Sequence, residues 1–340
     1  LTKIALITDT HFGVRNDQIS FLDKQKEFFD NVFFPTLEEQ KIDRVIHLGD
    51  LVDRRKFINF NTLNRMKTDF LDRLGNQVVT IVAGNHDVAY RMTNSLNALD
   101  ELLKSYKNFN LITKKPKHVD DFLYVPWITS DNREESFKII KDSRAQYCFG
   151  HLELSGFKMN SGIIAEHGDD PIEFAHLGMV FSGHYHSKSS RGNIHYLGAP
   201  FAFNWGDYGT DRGFHILDTK TNRLTFIDNP YTLFYQLDYD EEKQSFIPEL
   251  IENCYVKIVV RNKSSQSKFE EFLEKVQSKK PHDIKIVEQQ SLEIDTEVFS
   301  GIETTPEIIK KYIEQIDVNV NKKELEKVMI NLYQQASLLE

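Results

Sequence analysis

Cysteine is nearly absent from this 340-residue chain: Cys148 and Cys254 are the only two, far apart and each inside an apolar, strand-like run. That argues against a disulfide framework and against a Cys-based zinc site, and both thiols are expected to be inert core groups. No apolar run approaches the roughly 18 residues that a membrane span requires. The opening residues run straight into a strand without a leader pattern, so a cytoplasmic location is expected, or host cytoplasm for a viral protein. Positive charge is also scarce. Lys and Arg number 42 against 51 Asp and Glu, and the net charge of −9 argues against a globally basic nucleic-acid surface. Internal repeats, low-complexity segments and a Gly-x-x-x-x-Gly-Lys-Ser/Thr loop are all missing. With 40% hydrophobic and 27% charged residues, the chain reads as globular, with room for one large core and a smaller second domain.

What the chain does have is five short islands of Asp, His and Asn: Asp9-Thr-His11, Gly49-Asp50-Leu-Val-Asp53, Gly84-Asn85-His86-Asp87, Gly150-His151 and Gly183-His184-Tyr-His186. Each supplies the oxygen or imidazole donors that hold Mn²⁺, Fe or Zn²⁺. The first three follow apolar runs that read as strands, Lys3 to Ile7, Arg44 to Leu48 and Val78 to Val82. Helical patterns alternate with them over Phe21 to Glu39, Asn61 to Leu74 and Asn94 to Lys104. This rhythm implies a layered α/β domain with its chemistry at strand ends. After Phe109 the strands crowd together, which suggests a second sheet packed on the first: a two-sheet β-sandwich flanked by helices. A Gly stands before a candidate ligand in four islands, where it would permit a sharp turn toward a common point. Single Asp-x-His triplets are weak signals, and His47, His195 and His215 read as core residues; the ordered set carries the inference.

Past about Asp240 the pattern changes. A polar run at 240–245 precedes a β-α-β module, Cys254 to Val260, Ser267 to Ser278 and Asp283 to Val287, and no island falls inside it. Two amphipathic helices follow. Thr305 and Pro306 open one, with a stripe from Ile308 to Ile316; Asn321 and Glu324 open the other, with Leu325, Val328, Met329 and Leu332 on one face. Those faces would pack on the chain's own body or dock on another protein. The expected division is a catalytic domain over 1–239, a small α+β capping or DNA-binding domain over 240–298, and a C-terminal helical segment over 299–340. Basic clusters at Arg54-Arg55-Lys56, at Lys114 to His118 and at Lys188 with Arg191 read as solvated patches, although the first and third lie close enough to the islands to meet a phosphate backbone.

In wording and order the islands resemble the calcineurin-like metallophosphoesterase superfamily. Asp-Thr-His-Phe-Gly, Gly-Asp-Leu-Val-Asp and Gly-Asn-His-Asp, with the added module and terminal helices, look most like its SbcD-type nuclease branch, the nuclease subunit of double-strand-break repair complexes and their phage recombination counterparts. The resemblance covers residues 9 to 186. It implies one metal held by Asp9, His11, Asp50 and His186, and a second held by Asp50, Asn85, His151 and His184. His86 would face the scissile phosphate and Asp87 would orient it by hydrogen bonding. Two such ions roughly 3.5–4 Å apart clamp a phosphodiester and its attacking water. The resemblance further implies two Mn²⁺, with Mg²⁺ as the alternative, DNA as substrate, double-stranded exonuclease and single-stranded endonuclease action, a homodimer, and an SbcC-type ATPase docked on the C-terminal helices. Asp53 departs from branches that carry a histidine there, and could hydrogen-bond a ligand instead. A phosphatase or phosphodiesterase for small molecules or phosphoproteins remains the enzyme alternative, and a non-catalytic scaffold the alternative of another class.

Overall fold

The computed structural model describes residues 3–160, 163–243, 247–249, 251–288, 310, 313 and 321–337. Two compact units divide the chain, Leu1–Glu288 and Gln289–Glu340. In the first, two six-stranded sheets face one another. The parallel strands Lys3–Ile7, Arg44–His47, Val78–Val82 and Phe109–Ile112 form the body of one sheet, and the antiparallel strands Gly213–Asp218 and Arg223–Asp228 extend it beyond Lys3–Ile7. The second sheet is centred on Phe122–Val125, Tyr147–His151, Met179–Gly183 and Ile194–Tyr196, all parallel. The sandwich is therefore present, but Gly213–Asp218 and Arg223–Asp228 belong to the first sheet and not to the second. Strand proximity in sequence could not tell the two apart; register does, with Ile4 opposite Leu217 and Leu6 opposite His215.

Between the sheets lies a dry layer that includes Leu6, Ile46, Val82, Tyr124, Phe149, Phe181 and Leu217. Strands buried on both faces need apolar residues at nearly every position, which is why these segments read as continuous runs. The outer face of the first sheet carries a cluster of phenylalanines, with Phe29 stacked on Phe70 at 4.7 Å and Phe33 edge-on to Phe214 at 4.9 Å. Burying each such ring contributes about 1.5–3 kcal/mol. The helix expected over Phe21 to Glu39 runs as Ile19–Phe28, a π-helical turn Phe29–Phe33 and Phe34–Glu39. The wide turn stands just before Pro35, which has no N–H to continue the regular ladder. The helix expected from Asn94 begins only at Ala98. Thr93–Asn97 is instead extended against Val88–Tyr90, and the Asn97 side chain caps the helix by accepting from Asp100 N at 2.8 Å.

The small module packs into the same unit. Its sheet begins at Phe234 rather than past Asp240, with Phe234–Asp240, Tyr255–Asn262 and Asp283–Glu288 all parallel and the helix Gln266–Ser278 between the last two. Phe234 stacks on Tyr255 and both reach Phe21. In the second unit, Lys322–Ser337 is helical, and Asn321 Oδ1 accepts from Lys323 N at 3.1 Å as its cap. The helix expected from Thr305 lies largely outside the described residues.

Candidate metal centre

Five islands converge because the carboxyl ends of parallel strands in both sheets meet at one edge. Asp9 and His11 leave Lys3–Ile7, Asp50 leaves Arg44–His47, and Asn85 leaves Val78–Val82. From the second sheet come His151 at the end of its strand and His184 and His186 just past Gly183, with Gly183 in register with His151. The turns that aim these donors fall largely on the donor residues themselves: Asp9, His11, Asp50 and His184 all have positive φ, between 43° and 86°. Such backbone is costly away from glycine and persists where surrounding structure over-determines it. Of the four preceding glycines only Gly49 turns this way, at φ 98°. Gly84 serves by clearance, since a Cβ there would lie 2.2 Å from Asp50 Oδ1.

All seven expected ligands meet here. His11 Nε2 lies 3.2 Å from His186 Nε2, 3.7 Å from Asp50 Oδ2 and 3.9 Å from Asp9 Oδ1. On the other side, His151 Nε2 is 3.4 Å from Asp50 Oδ2 and 3.0 Å from Asn85 Oδ1, which also meets His184 Nδ1 at 2.9 Å. Asp50 thus faces both halves. Ligand atoms of Asp9, His11 and His186, and of Asp50, His151 and His184, lie within 4.8 Å of one another. The back sides of three rings are occupied: His11 Nδ1 by Asp53 Oδ1 at 3.4 Å, His151 Nδ1 by the Leu48 carbonyl at 2.7 Å, and His184 Nε2 by Glu153 at 3.9 Å. At His151 the hydrogen bond to the Leu48 carbonyl fixes the tautomer, and in all three rings the other nitrogen faces the shared point. The donor set, mixed nitrogen and oxygen around one bridging carboxylate, fits a pair of divalent ions.

The buried carboxylates and imidazoles shift one another's proton affinity. Burial works against a charged His11, yet Asp53 beside its ring and the carboxylates of Asp50 and Asp9 push its pKa up to about 9. His151 is driven to about 9 in the same way: burial opposes the charge, but Asp50 outweighs it. Burial also tends to raise Asp50, but the charges of His151 and His86 hold it well below the ordinary carboxylate range.

Two expected roles change. Asp87 does not orient His86. Its carboxylate is fully buried and accepts from the backbone N–H groups of Gly84, Asp50, Leu51 and Val52 at 2.8, 2.9, 3.0 and 3.2 Å. It ties the second island to the third. The His86 ring is held instead by the Asp53 carbonyl, 2.5 Å from Nδ1, and His86 N donates to Asp50 Oδ1 at 2.7 Å. Asp53 therefore supports His11 with its side chain and His86 with its backbone. His11 and His86 meet edge to face at 4.7 Å.

Several neighbours had no signal in the pattern of islands. Trp127 lies 5.0 Å from the His184 ring, and Phe203 lies 5.2 Å from His11 and 5.4 Å from His186. Arg212, buried and paired with Asp207 at 3.0 Å, donates to the His186 carbonyl at 2.6 Å. Only Glu153 was within reach, two residues after His151 in the fourth island. Of the basic clusters, Lys115 pairs with Glu135 and Lys188 with Asp211, while Arg54 pairs with Asp17 at 2.8 Å.

An α/β sandwich that gathers these donors from strand ends is the architecture of a metal-dependent phosphoesterase. Residues 2–188 match the calcineurin-like phosphoesterase family model, and the chain belongs to that family. Over 330 residues it is also 31% identical to exonuclease subunit 1 of Enterobacteria phage T4, an alignment that covers 92% of this chain and 93% of that protein. Among solved structures, the purple acid phosphatase PPD1 of yellow lupin seeds is 13% identical, with 66% of this chain and 52% of that one covered at a TM-score of 0.36. No helix among the described residues is long and apolar enough to cross a membrane.

Proposed function

We propose that this phosphoesterase is a Mn²⁺-dependent DNA nuclease, acting as an exonuclease on duplex ends and an endonuclease on single strands, and that it works within a recombination or break-repair complex. The observation that carries the reading is the extent of the likeness to a phage exonuclease subunit: 330 residues reach far beyond the metal centre, which ends at His186, into the module and the C-terminal segment. A small-substrate esterase has no evident need of those parts.

In this reading Asp9, His11, Asp50 and His186 hold one metal, and Asp50, Asn85, His151 and His184 the other. When bound, the pair supplies Lewis-acid polarisation of the phosphoryl group and a water of lowered pKa. The chain's own residues do the rest. Because the Asp53 carbonyl is an acceptor, His86 carries its proton on Nδ1, and Nε2 is where a proton arrives or leaves. Burial lowers the His86 pKa, so the ring starts neutral; an anionic phosphate beside it restores the proton, which then passes to the departing oxygen. Such acid catalysis contributes roughly 10²–10⁴-fold. Asp87 holds the two islands in place and stays out of the chemistry.

The module over 240–298 would grip DNA beside the catalytic domain. The exposed side chains of Val328, Met329 and Leu332 on the last helix would dock on an SbcC-type ATPase. A homodimer would form through the segments around Phe60–Met66 and Ala98–Leu102, where Phe60 is 88% exposed. Digestion of end-labelled duplex and single-stranded DNA with Mn²⁺, by the wild type and His86→Ala, tests the core of this proposal. DNA cleavage that His86→Ala abolishes is expected. Hydrolysis of p-nitrophenyl phosphate esters without DNA cleavage, even with an ATPase partner added, would overturn it in favour of a small-substrate phosphatase.

A further inference from the structure

We propose that Phe203, Asp207 and Arg212 form a clamp that positions His11 and His186 for one of the two metals, and that the other metal does not depend on it. The proposal rests on the two-metal reading above, in which Asp9, His11, Asp50 and His186 hold the first ion.

The clamp lies in a segment past the last island, with no ligand of its own. Trp205–Asp207 is a single 3₁₀ turn, which the Asn204 side chain caps by accepting from Gly206 N at 2.7 Å. The turn brings Asp207 back to Phe203, whose N–H donates to Asp207 Oδ2 at 2.9 Å. Arg212 Nη2 donates to Asp207 Oδ1 at 3.0 Å and to Thr210 Oγ1 at 2.6 Å, which leaves Nη1 for the His186 carbonyl at 2.6 Å. Ala199 N donates to the same carbonyl at 3.1 Å, so both of its lone pairs are taken and the His186 backbone is fixed. On the far side, Arg15 Nε donates to the Phe203 carbonyl at 3.0 Å. Phe203 is therefore held at its amide and at its carbonyl.

Held in this way, the buried Phe203 ring closes a triangle with two imidazoles. Its centroid lies 5.2 Å from His11 and 5.4 Å from His186, the imidazoles are 5.1 Å apart, and all three pairs meet edge to face. His11 and His186 aim their Nε2 atoms at one another, 3.2 Å apart. An edge-on ring against each imidazole restricts its rotation, and apolar cover on this side controls the access of water to the ion. A buried ion pair is weak evidence for stability in itself. Beyond the turn, however, the side-chain bonds of Asp207 and Arg212 end on Phe203 and His186, as a positioning role requires. The second group of ligands is held by other means: His151 by the Leu48 carbonyl and Asn85, His184 by Asn85, Glu153 and Trp127. Among the described residues, none of the three clamp side chains has a hydrogen bond or ring contact with Asn85, His151 or His184.

The test titrates the metal-free full chain with Mn²⁺ in a calorimeter. The wild type should take up two ions, and His186→Ala and His184→Ala mark which event belongs to which group of ligands. Arg212→Met combined with Asp207→Asn leaves no buried charge unpaired, and the Asn oxygen can still accept from Phe203 N. This variant should weaken the event that His186→Ala abolishes by about 10–100-fold and leave the other within about 2-fold. Arg212→Lys, which keeps the charge without the fork, should fall between it and the wild type. Phe203→Leu should act on the same event with the ion pair intact. At two equivalents of Mn²⁺, electron paramagnetic resonance should show isolated ions in the double variant and a coupled pair in the wild type. Phe174→Leu, in the core on the second sheet, is the control: lower stability in urea with both events unmoved. If the clamp variants weaken both events alike, weaken the one that His184→Ala abolishes, or leave both as in the wild type, the clamp is overturned and the two-metal reading stands. A wild type that holds fewer than two Mn²⁺ overturns both. Should the double variant fail to fold by circular dichroism, Arg212→Lys and Phe203→Leu decide between the same outcomes.

Discussion

Removing the Asp87 carboxylate separates a structural from a chemical role for this island. Four buried backbone N–H groups converge on its two oxygens, Gly84 and Asp50 on Oδ2, Leu51 and Val52 on Oδ1. In Asp87→Ala all four lose their partner. A buried unpaired donor costs about 1–3 kcal/mol, and water admitted to the vacated space would restore part of that, so a net loss of about 3–5 kcal/mol is expected. In Asp87→Asn one oxygen remains for two of the amides while the NH₂ opposes the other two, which puts the cost at about half. Urea unfolding of the metal-free protein measures both, and calorimetric titration with Mn²⁺ should show weakened metal binding, because Asp50 is anchored through its own N–H. His86→Ala should behave in the opposite way, folding and binding metal nearly normally but losing roughly 10²–10⁴ in kcat. An Asp87→Ala protein as stable as the wild type and as inactive as His86→Ala would refute the reasoning and return Asp87 to the chemistry.

Gly84→Ala should lose most of its metal affinity, as its Cβ would lie 2.2 Å from Asp50 Oδ1 and 2.4 Å from Asp50 N; unchanged Mn²⁺ binding by calorimetry would contradict the clearance argument. Asp53→Asn should weaken metal binding by about 10–100-fold by loosening His11 from behind, with the fold intact by circular dichroism. Mn²⁺ affinity should climb with pH up to about 9 and then level, because His11 and His151 hold protons up to about 9 that metal must displace. The metal-free protein follows the reverse sign. Both folded-state values are raised above those of the unfolded chain, so their stabilising contribution is full below about pH 6.5 and is lost as pH rises through about 9. Proton release on metal loading, measured in buffers of different ionisation enthalpy, checks both statements; none at pH 7 would sink them.

Much of the architecture was legible because ligands follow strands. A parallel strand buried on both faces must be an unbroken apolar run, and the residue after it emerges at the sheet edge, so Val78 to Val82 announced both a strand and the position of Asn85. The same reasoning placed Asp9, His11 and Asp50. It failed for Gly213–Asp218, whose apolar pattern suits either sheet and whose place depends on pairing with residues over two hundred positions earlier. The helix expected from Asn94 starts only at Ala98 because hairpin pairing with Val88–Tyr90 claims the residues up to Asn97. Asp87 departs from expectation because an acid beside a candidate catalytic histidine reads as its partner, whereas three of the four backbone amides that claim it come from another island.

The sequence by itself determined the candidate donors, their order along the chain and therefore the class of reaction, since seven nitrogen and oxygen donors at strand ends have few other uses. Only the tertiary structure decided which acid holds the loops and which supports the rings. Those features depend on backbone amides and charges from separate islands meeting in space, and no residue's neighbours in sequence record where such partners will come from.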